Sequence, residues 1–254
     1  MARKQVEILG IPIDRSSRQE LLQQIREEVR ENRVRGQHSL LATPNPEIIY
    51  AGGKDLVLGR ALRSARFCVP DGIGVVWAAK MKGCPVAERI PGIELMEDIL
   101  EMASRDGLKV YFLGTRPENM EAAVSSIKQR FPDLRIAGYH HGYFTPDEDK
   151  LVVGAVAASE ADILFAGMGA ERELKWLYKY LPALDVPLAM GVGGSFDVFG
   201  GVVSRAPKWM IKLNLEWLYR LLKEPWRWRR QLVLPLFVGL ILWEKWFSSK
   251  EKGC

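Results

Sequence analysis

Residues 109–137 read KVYFLGTRPENMEAAVSSIKQRFPDLRIA, and the fold is decided there. Lys109–Leu113 is a short apolar run of strand length. Thr115-Arg116-Pro117-Glu118 follows it, with Thr and Glu at capping-box spacing and a proline inside, the signature of a helix start. Glu118–Arg130 then carries a helical pattern, and Arg135–Ala137 returns to strand. Strand, helix and strand in succession make a βαβ unit, whose two strands lie parallel.

The alternation extends in both directions. Further candidate strands are Val6–Leu9, Ser39–Ala42, Phe67–Val69, Asp162–Ala166 and Pro187–Met190. Leu21, Ile25 and Val29 recur at helical spacing, and Glu94–Ala103, Asp147–Ala158 and Glu171–Leu181 read as further helices. Asn45-Pro46-Glu47 spells N-cap, N1 and N2, and Thr145-Pro146-Asp147-Glu148 a second capping box. The expected fold is α/β: a doubly wound, mainly parallel, Rossmann-like sheet. In such a sheet ligands bind at the carboxyl ends of the strands, where helix N-termini offer N–H groups to anions. The candidate site loops are therefore Thr43–Glu47, Pro70–Gly74, Gly114–Glu118, Gly167–Glu173 and Gly191–Asp197.

After Gly200-Gly201 the texture changes, which divides the chain into a core over residues 1–201 and an appendage over 202–254. From Ser204 onward there are 11 Lys/Arg against four Asp/Glu, so the chain's net charge of +5 resides in this tail. Six of the eight tryptophans lie there as well. Cations beside interfacial aromatics suit an anionic membrane surface. Leu232–Trp243 is apolar apart from Pro235 and Gly239, but twelve helical residues span only ~18 Å against ~30 Å of bilayer hydrocarbon. A helix lying in one leaflet is the expectation; a helix packed on the core or on a second copy of the chain is the alternative. Nucleic acid would also attract a basic tail, but this one adjoins an uncharged apolar run, so no nucleic-acid partner is expected. The N-terminal MARKQVEILGIPID has no apolar run of signal-peptide length, which places the expected site of action on the cytoplasmic side.

Several common site signatures are missing. Neither Gly167-Met168-Gly169 nor Gly191-Val192-Gly193-Gly194 completes the dinucleotide fingerprint, and Ser195 is outside a GxSxG elbow because position 197 is Asp. Asp147-Glu148-Asp149 spells a D-x-D metal motif, but acids in the first turn of a capped helix need no metal to explain them. His140 and His141 have no ligand-type partners at zinc spacing. No metal or other cofactor is expected.

What remains is a set of strings in fixed order: TPNPE at 43–47, PDGIG at 70–74, ERIPG at 88–92, FLG at 112–114, GYF at 142–144, GVGGSFD at 191–197, RAP at 205–207, and EWLYRL at 216–221 followed by Glu224-Pro225 and Arg227. Together they resemble the TagA/WecG/CpsF glycosyltransferases. The resemblance implies an inverting transfer of N-acetylmannosamine from UDP-ManNAc to GlcNAc-diphosphate-undecaprenol at the cytoplasmic face of the plasma membrane. It implies Asp71 as general base, where an isolated Asp before Gly would read as a helix cap. Thr43 and Asn45 would orient a sugar, and Arg89 would meet the diphosphate. Gly114, Gly169, Glu173, Gly193, Gly194 and Asp197 would line the donor site. Arg220, Arg227 and Arg230 would close over it and neutralise the leaving UDP, where the plain reading is membrane-anchoring arginines. One segment departs from the pattern: Glu171, Glu173 and Leu174 stand where the family commonly has Pro, Gln and Glu.

Overall fold

The computed structural model describes residues 4–213, 215–223, 225, 228 and 232–247. Its centre is a six-stranded, all-parallel sheet. The chain opens with β1 (Gln5–Ile8) and β2 (Ile11–Asp14), then α1 (Arg18–Arg35), β3 (Ser39–Ala42), α2 (Pro46–Lys54), α3 (Leu56–Ser64) and β4 (Phe67–Cys68). It continues through α4 (Ile73–Met81), α5 (Gly92–Asp106), β5 (Lys109–Gly114), α6 (Pro117–Arg130), β6 (Arg135–His141) and α7 (Asp149–Ala158). Last come β7 (Ile163–Gly167), α8 (Ala170–Leu184), β8 (Leu188–Gly191), α9 (Ser195–Phe199), α10 (Lys208–Lys212), α11 (Glu216–Lys223) and α12 (Val233–Phe247). The strand order is β4-β3-β8-β7-β5-β6.

Side-chain alternation along the strands builds two cores. Leu40, Ala42, Leu113, Leu164, Ala166 and Ala189 face one side, with α2, α3, α4, α7 and α8. Leu41, Phe67, Phe112, Phe165, Leu188 and Met190 face the other, with α1, α5 and α6. Helices on both faces make the sheet doubly wound, as the sequence predicts, and strands buried on both faces explain their unbroken apolar runs.

Three local readings need correction. Val6–Leu9 does not join the parallel sheet. Gln5–Ile8 pairs antiparallel with Ile11–Asp14, through a turn in which Leu9 and Gly10 have φ of 49° and 77°. Two positive φ values match the turn to the strand twist, but Leu-Gly lacks the usual Asn-Gly signal. Asp14 at the hairpin's end is buried, and its Oδ2 accepts from Cys68 N–H at 2.7 Å. At α6 the N-cap is Arg116, not Thr115, and it makes no side-chain cap bond. At α7 the helix begins at Asp149; Thr145 N–H and Oγ1 both donate to Glu148 Oε2, at 2.7 and 3.0 Å, in the turn before it. Asn45 caps α2 as read, accepting from Ile48 N–H at 3.0 Å.

The appendage includes α12, which packs across α2 and α4. Phe237 and Ile241 are sealed in the same core as β1 and β2, and Lys82 Nζ meets Glu244 Oε1 at 2.7 Å. Its outer face exposes Leu236, Leu240 and Trp243. The packed alternative therefore describes one face of this helix, and the other remains open. No helix among the described residues is long and apolar enough to cross a membrane.

Candidate active site

Three of the ordered strings converge where β3 and β4 end. Thr43, Pro44 and Asn45 leave β3, and Asp71 leaves β4 one strand away. Asp71 N–H donates to Pro44 O at 3.3 Å, and Ile90 N–H donates to Pro70 O at 3.1 Å. Gly92 N–H then reaches Asp71 Oδ2 at 3.4 Å. Two glycines permit this approach: a Cβ on Gly92 would lie 2.7 Å from Thr43 Oγ1, and one on Gly74 would lie 2.6 Å from Pro46 Cγ. Thr43 and Asp71, both half-buried, thus flank Gly92 at the sheet's carboxyl edge. A carboxylate and a hydroxyl presented together at a sheet crevice can accept a proton from a hydroxyl and orient its oxygen.

Beside them lies an ion chain. Arg89 Nη2 is 3.5 Å from Glu216 Oε2, and both side chains are nearly buried. Arg205 Nε is 4.0 Å from Glu216 Oε1, and Arg205 also pairs with Glu94, which meets Arg18 at 2.9 Å. Arg89 therefore links the ERIPG string to α11. Arg220 sits one turn on from Glu216 in that helix. The Arg220 side chain, and Arg227 and Arg230 altogether, lie outside the described residues.

The loops after β5, β7 and β8 lie along the same carboxyl edge of the sheet. Gly114 has no room for a side chain, since a Cβ would lie 2.3 Å from Gly167 O. Thr115 follows in the left-handed region at φ 43°. Its N–H donates to Gly167 O at 2.8 Å, its carbonyl accepts from Gly142 N–H at 2.8 Å, and its hydroxyl donates to Asp197 Oδ1. Asn119 Nδ2 donates to the same oxygen at 3.1 Å. Asp197 is thereby engaged in tying α9 to α6.

Glu173 is the surprise of this region. The side chain points inward from the first turn of α8 and is only 2% exposed. Its Oε1 accepts from Gly193 N–H at 2.8 Å and its Oε2 from Met168 N–H at 2.9 Å. Burial pushes its carboxyl up to about 7, against the downward pull of backbone N–H groups of Gly193, Met168 and Gly169. Gly193 N–H, turned to Glu173, is not directed at a ligand; Gly194 is exposed, and Gly169 at the head of α8 has open space around it. Leu174, at another departing position, is buried in the core.

Two of the three acids at 147–149 bond within the chain, Glu148 in the turn before α7 and Asp149 at its start. Asp149 accepts from Trp176 Nε1 at 2.8 Å and Tyr180 Oη at 2.7 Å. His141 Nδ1 accepts from Tyr143 N–H at 3.3 Å. Among the described residues no three His, Cys, Asp or Glu side chains group as metal ligands do. A hollow of about 620 Å³ runs along the outside of α8, but no residue of the Asp71 crevice lines it.

Comparison with known proteins agrees with the resemblance that the ordered strings carry. The profile of the Glycosyl transferase WecG/TagA/CpsF family matches residues 6–251. An N-acetylglucosaminyldiphosphoundecaprenol N-acetyl-beta-D-mannosaminyltransferase of Bacillus subtilis (strain 168) is 36% identical over 207 residues, covering 82% of this chain and 80% of the relative. The Staphylococcus aureus (strain MW2) protein of the same name is 35% identical over 247 residues, 97% of this chain and 96% of its own. Across nearly its whole length, then, the chain belongs to the WecG/TagA/CpsF family of glycosyl transferases.

Proposed function

We propose that this protein transfers N-acetylmannosamine from UDP-ManNAc to the sugar of GlcNAc-diphosphate-undecaprenol, with inversion and without a metal, at the cytoplasmic face of the plasma membrane. The single observation that carries the reading is the placement of Asp71 beside Thr43 and Gly92 at the crevice edge. In the proposed step the acceptor hydroxyl oxygen attacks the anomeric carbon from the face opposite UDP. Asp71 takes the hydroxyl proton, and the bond to UDP breaks with its electron pair leaving on the diphosphate. One displacement needs one base and no covalent sugar intermediate. It converts an α-linked donor into a β-linked product, and the relatives' names specify a β-mannosaminyl product.

Thr43 and the amide of Asn45 would orient the acceptor or donor sugar. Gly169 and Gly194, both exposed, would let the donor approach backbone, and Gly114 would act through its packing on Gly167. Arg220, Arg227 and Arg230 would supply the positive charge that the leaving diphosphate needs. The core over residues 1–201 would carry the chemistry, and residues 202–254 would bring it to the lipid-linked acceptor. The open apolar face of α12 supports that division.

The test is transfer of radiolabelled sugar from a panel of UDP-sugars to the lipid acceptor, with chelator present. Asp71→Asn should lose about 10²–10⁴-fold in turnover while keeping its fold. Undiminished turnover in that variant removes Asp71 as base. Abolition of wild-type activity by chelator removes the metal-free step, and an α-linked product removes inversion. Preference for another UDP-sugar would reassign the donor alone.

A further inference from the structure

We propose that the Glu173 carboxylate is a positioning residue: a two-sided latch that holds the loops after β7 and β8 at their working separation, and that only the ionised carboxylate closes fully. Met168 N–H and Gly193 N–H belong to different loops and meet different oxygens of the one side chain, at 2.9 and 2.8 Å. Both partners are donors, so both oxygens must accept. An ionised carboxylate does this; a carboxylic acid or a glutamine amide offers one good acceptor and one donor, and leaves one N–H facing a donor.

The latch has no slack. A Cβ on Gly191 would lie 3.0 Å from Glu173 Oε1, and a Cβ on Gly167 would lie 2.6 Å from Phe196 and 2.8 Å from Gly193 O. Gly191 at the end of β8 thus abuts Glu173, and Gly167 at the end of β7 abuts the β8 loop. These same loops carry Gly169 and Gly194 of the candidate donor site. Releasing one N–H frees one loop, and the loss falls on donor placement and not on the base at Asp71.

The surroundings make the latch responsive near neutrality. No charged side chain contributes to the upward shift of this carboxyl to about 7; burial is its cause. The β7 and β8 loops bring peptide groups, and Phe196 is apolar. Asp197 of α9 is turned to Thr115 and Asn119. On α8 itself Glu171 is exposed, Arg172 binds Phe144 O and Lys175 pairs with Asp55. From pH 8 to pH 6 a group with that midpoint goes from about nine-tenths to about one-tenth ionised. Stability moves the other way: the folded chain keeps a proton that the unfolded chain releases from about pH 4.5 upward, so this group's contribution falls as pH rises to about 7. Acid should therefore loosen the loops while favouring the fold.

The experiment is amide hydrogen exchange on the full chain at pH 6, 7 and 8, corrected for intrinsic rates. It is read at Met168 and Gly193, with Thr115 N–H as internal reference. At least one of the two amides should gain about tenfold in protection from pH 6 to pH 8 in the wild type, and neither should change in Glu173→Gln. In parallel the KM for UDP-ManNAc should fall across the same interval in the wild type, with no such step in Glu173→Gln. That variant should be at least as heat-stable as the wild type at pH 8. Flat protection at both amides in the wild type, or a step that persists in Glu173→Gln, overturns the latch. The effect on KM rests on the proposed reaction, but the exchange readout does not. An exchange step without any transfer from UDP-ManNAc upholds the latch and refutes the reaction.

Discussion

Gly92 has room for a hydrogen and nothing larger, because Thr43 Oγ1 occupies the space a methyl would need. Gly92→Ala must therefore move Thr43 away from residue 92, whose N–H Asp71 accepts. An overpacked contact of this kind costs about 1–3 kcal/mol, and displacement of the reacting groups by an ångström costs about 10²-fold in rate. Thermal unfolding and turnover of Gly92→Ala should show both losses; wild-type turnover would separate the Asp71 geometry from catalysis. The sequence singles out Asp71, Thr43 and Asn45 as candidates because they sit in strings whose order is informative. Thr115 at φ 43° was not, since its left-handed backbone is set by bonds to Gly167 and Gly142, which are distant in sequence. Glu173 was legible as a departure but not as a buried carboxylate, because its partners are peptide groups that any residue supplies.

At the scale of elements, α12 has two opposed faces with separable duties. Phe237→Ala should cost about 3–5 kcal/mol, since the ring is sealed against α2 and α4. Leu236→Ser, on the open face, should stay within about 0.5 kcal/mol of the wild type. Flotation with vesicles containing anionic lipid should show the reverse ranking: Leu236→Ser weakens association and a folded Phe237 variant does not. Equal flotation by wild type and Leu236→Ser would show that the open face does not touch lipid. Most strands and helices were legible because apolar periodicity is local. The second strand of the hairpin was not, because Ile-Pro-Ile-Asp is short and a Leu-Gly turn carries little of the usual signal. The outcome for the tail, half docked and half open, follows from three-dimensional packing that a twelve-residue apolar run does not encode.

At the scale of the whole molecule, the cationic appendage and the acidic-leaning core meet through Arg89, Glu216, Arg205, Glu94 and Arg18. This chain of charges anchors α11 close to the loop that bonds Asp71. The proposed closure by the appendage predicts that Arg220→Glu or Arg227→Glu keeps the fold and binding of UDP but abolishes transfer. Circular dichroism, UDP titration and the transfer assay together check this, and unchanged turnover in both variants would leave these arginines with anchoring alone.

The hairpin has one more consequence. Cys68 N–H is directed away from β3, and the Asp14 carboxylate occupies it. At that position this border of the sheet is hemmed, whereas among the described residues the seven-residue border at Arg135–His141 pairs with β5 alone. Strand-by-strand accretion between molecules, the usual hazard of an open β edge, is thereby hindered on the first flank, and a charge placed on the second should suppress it there.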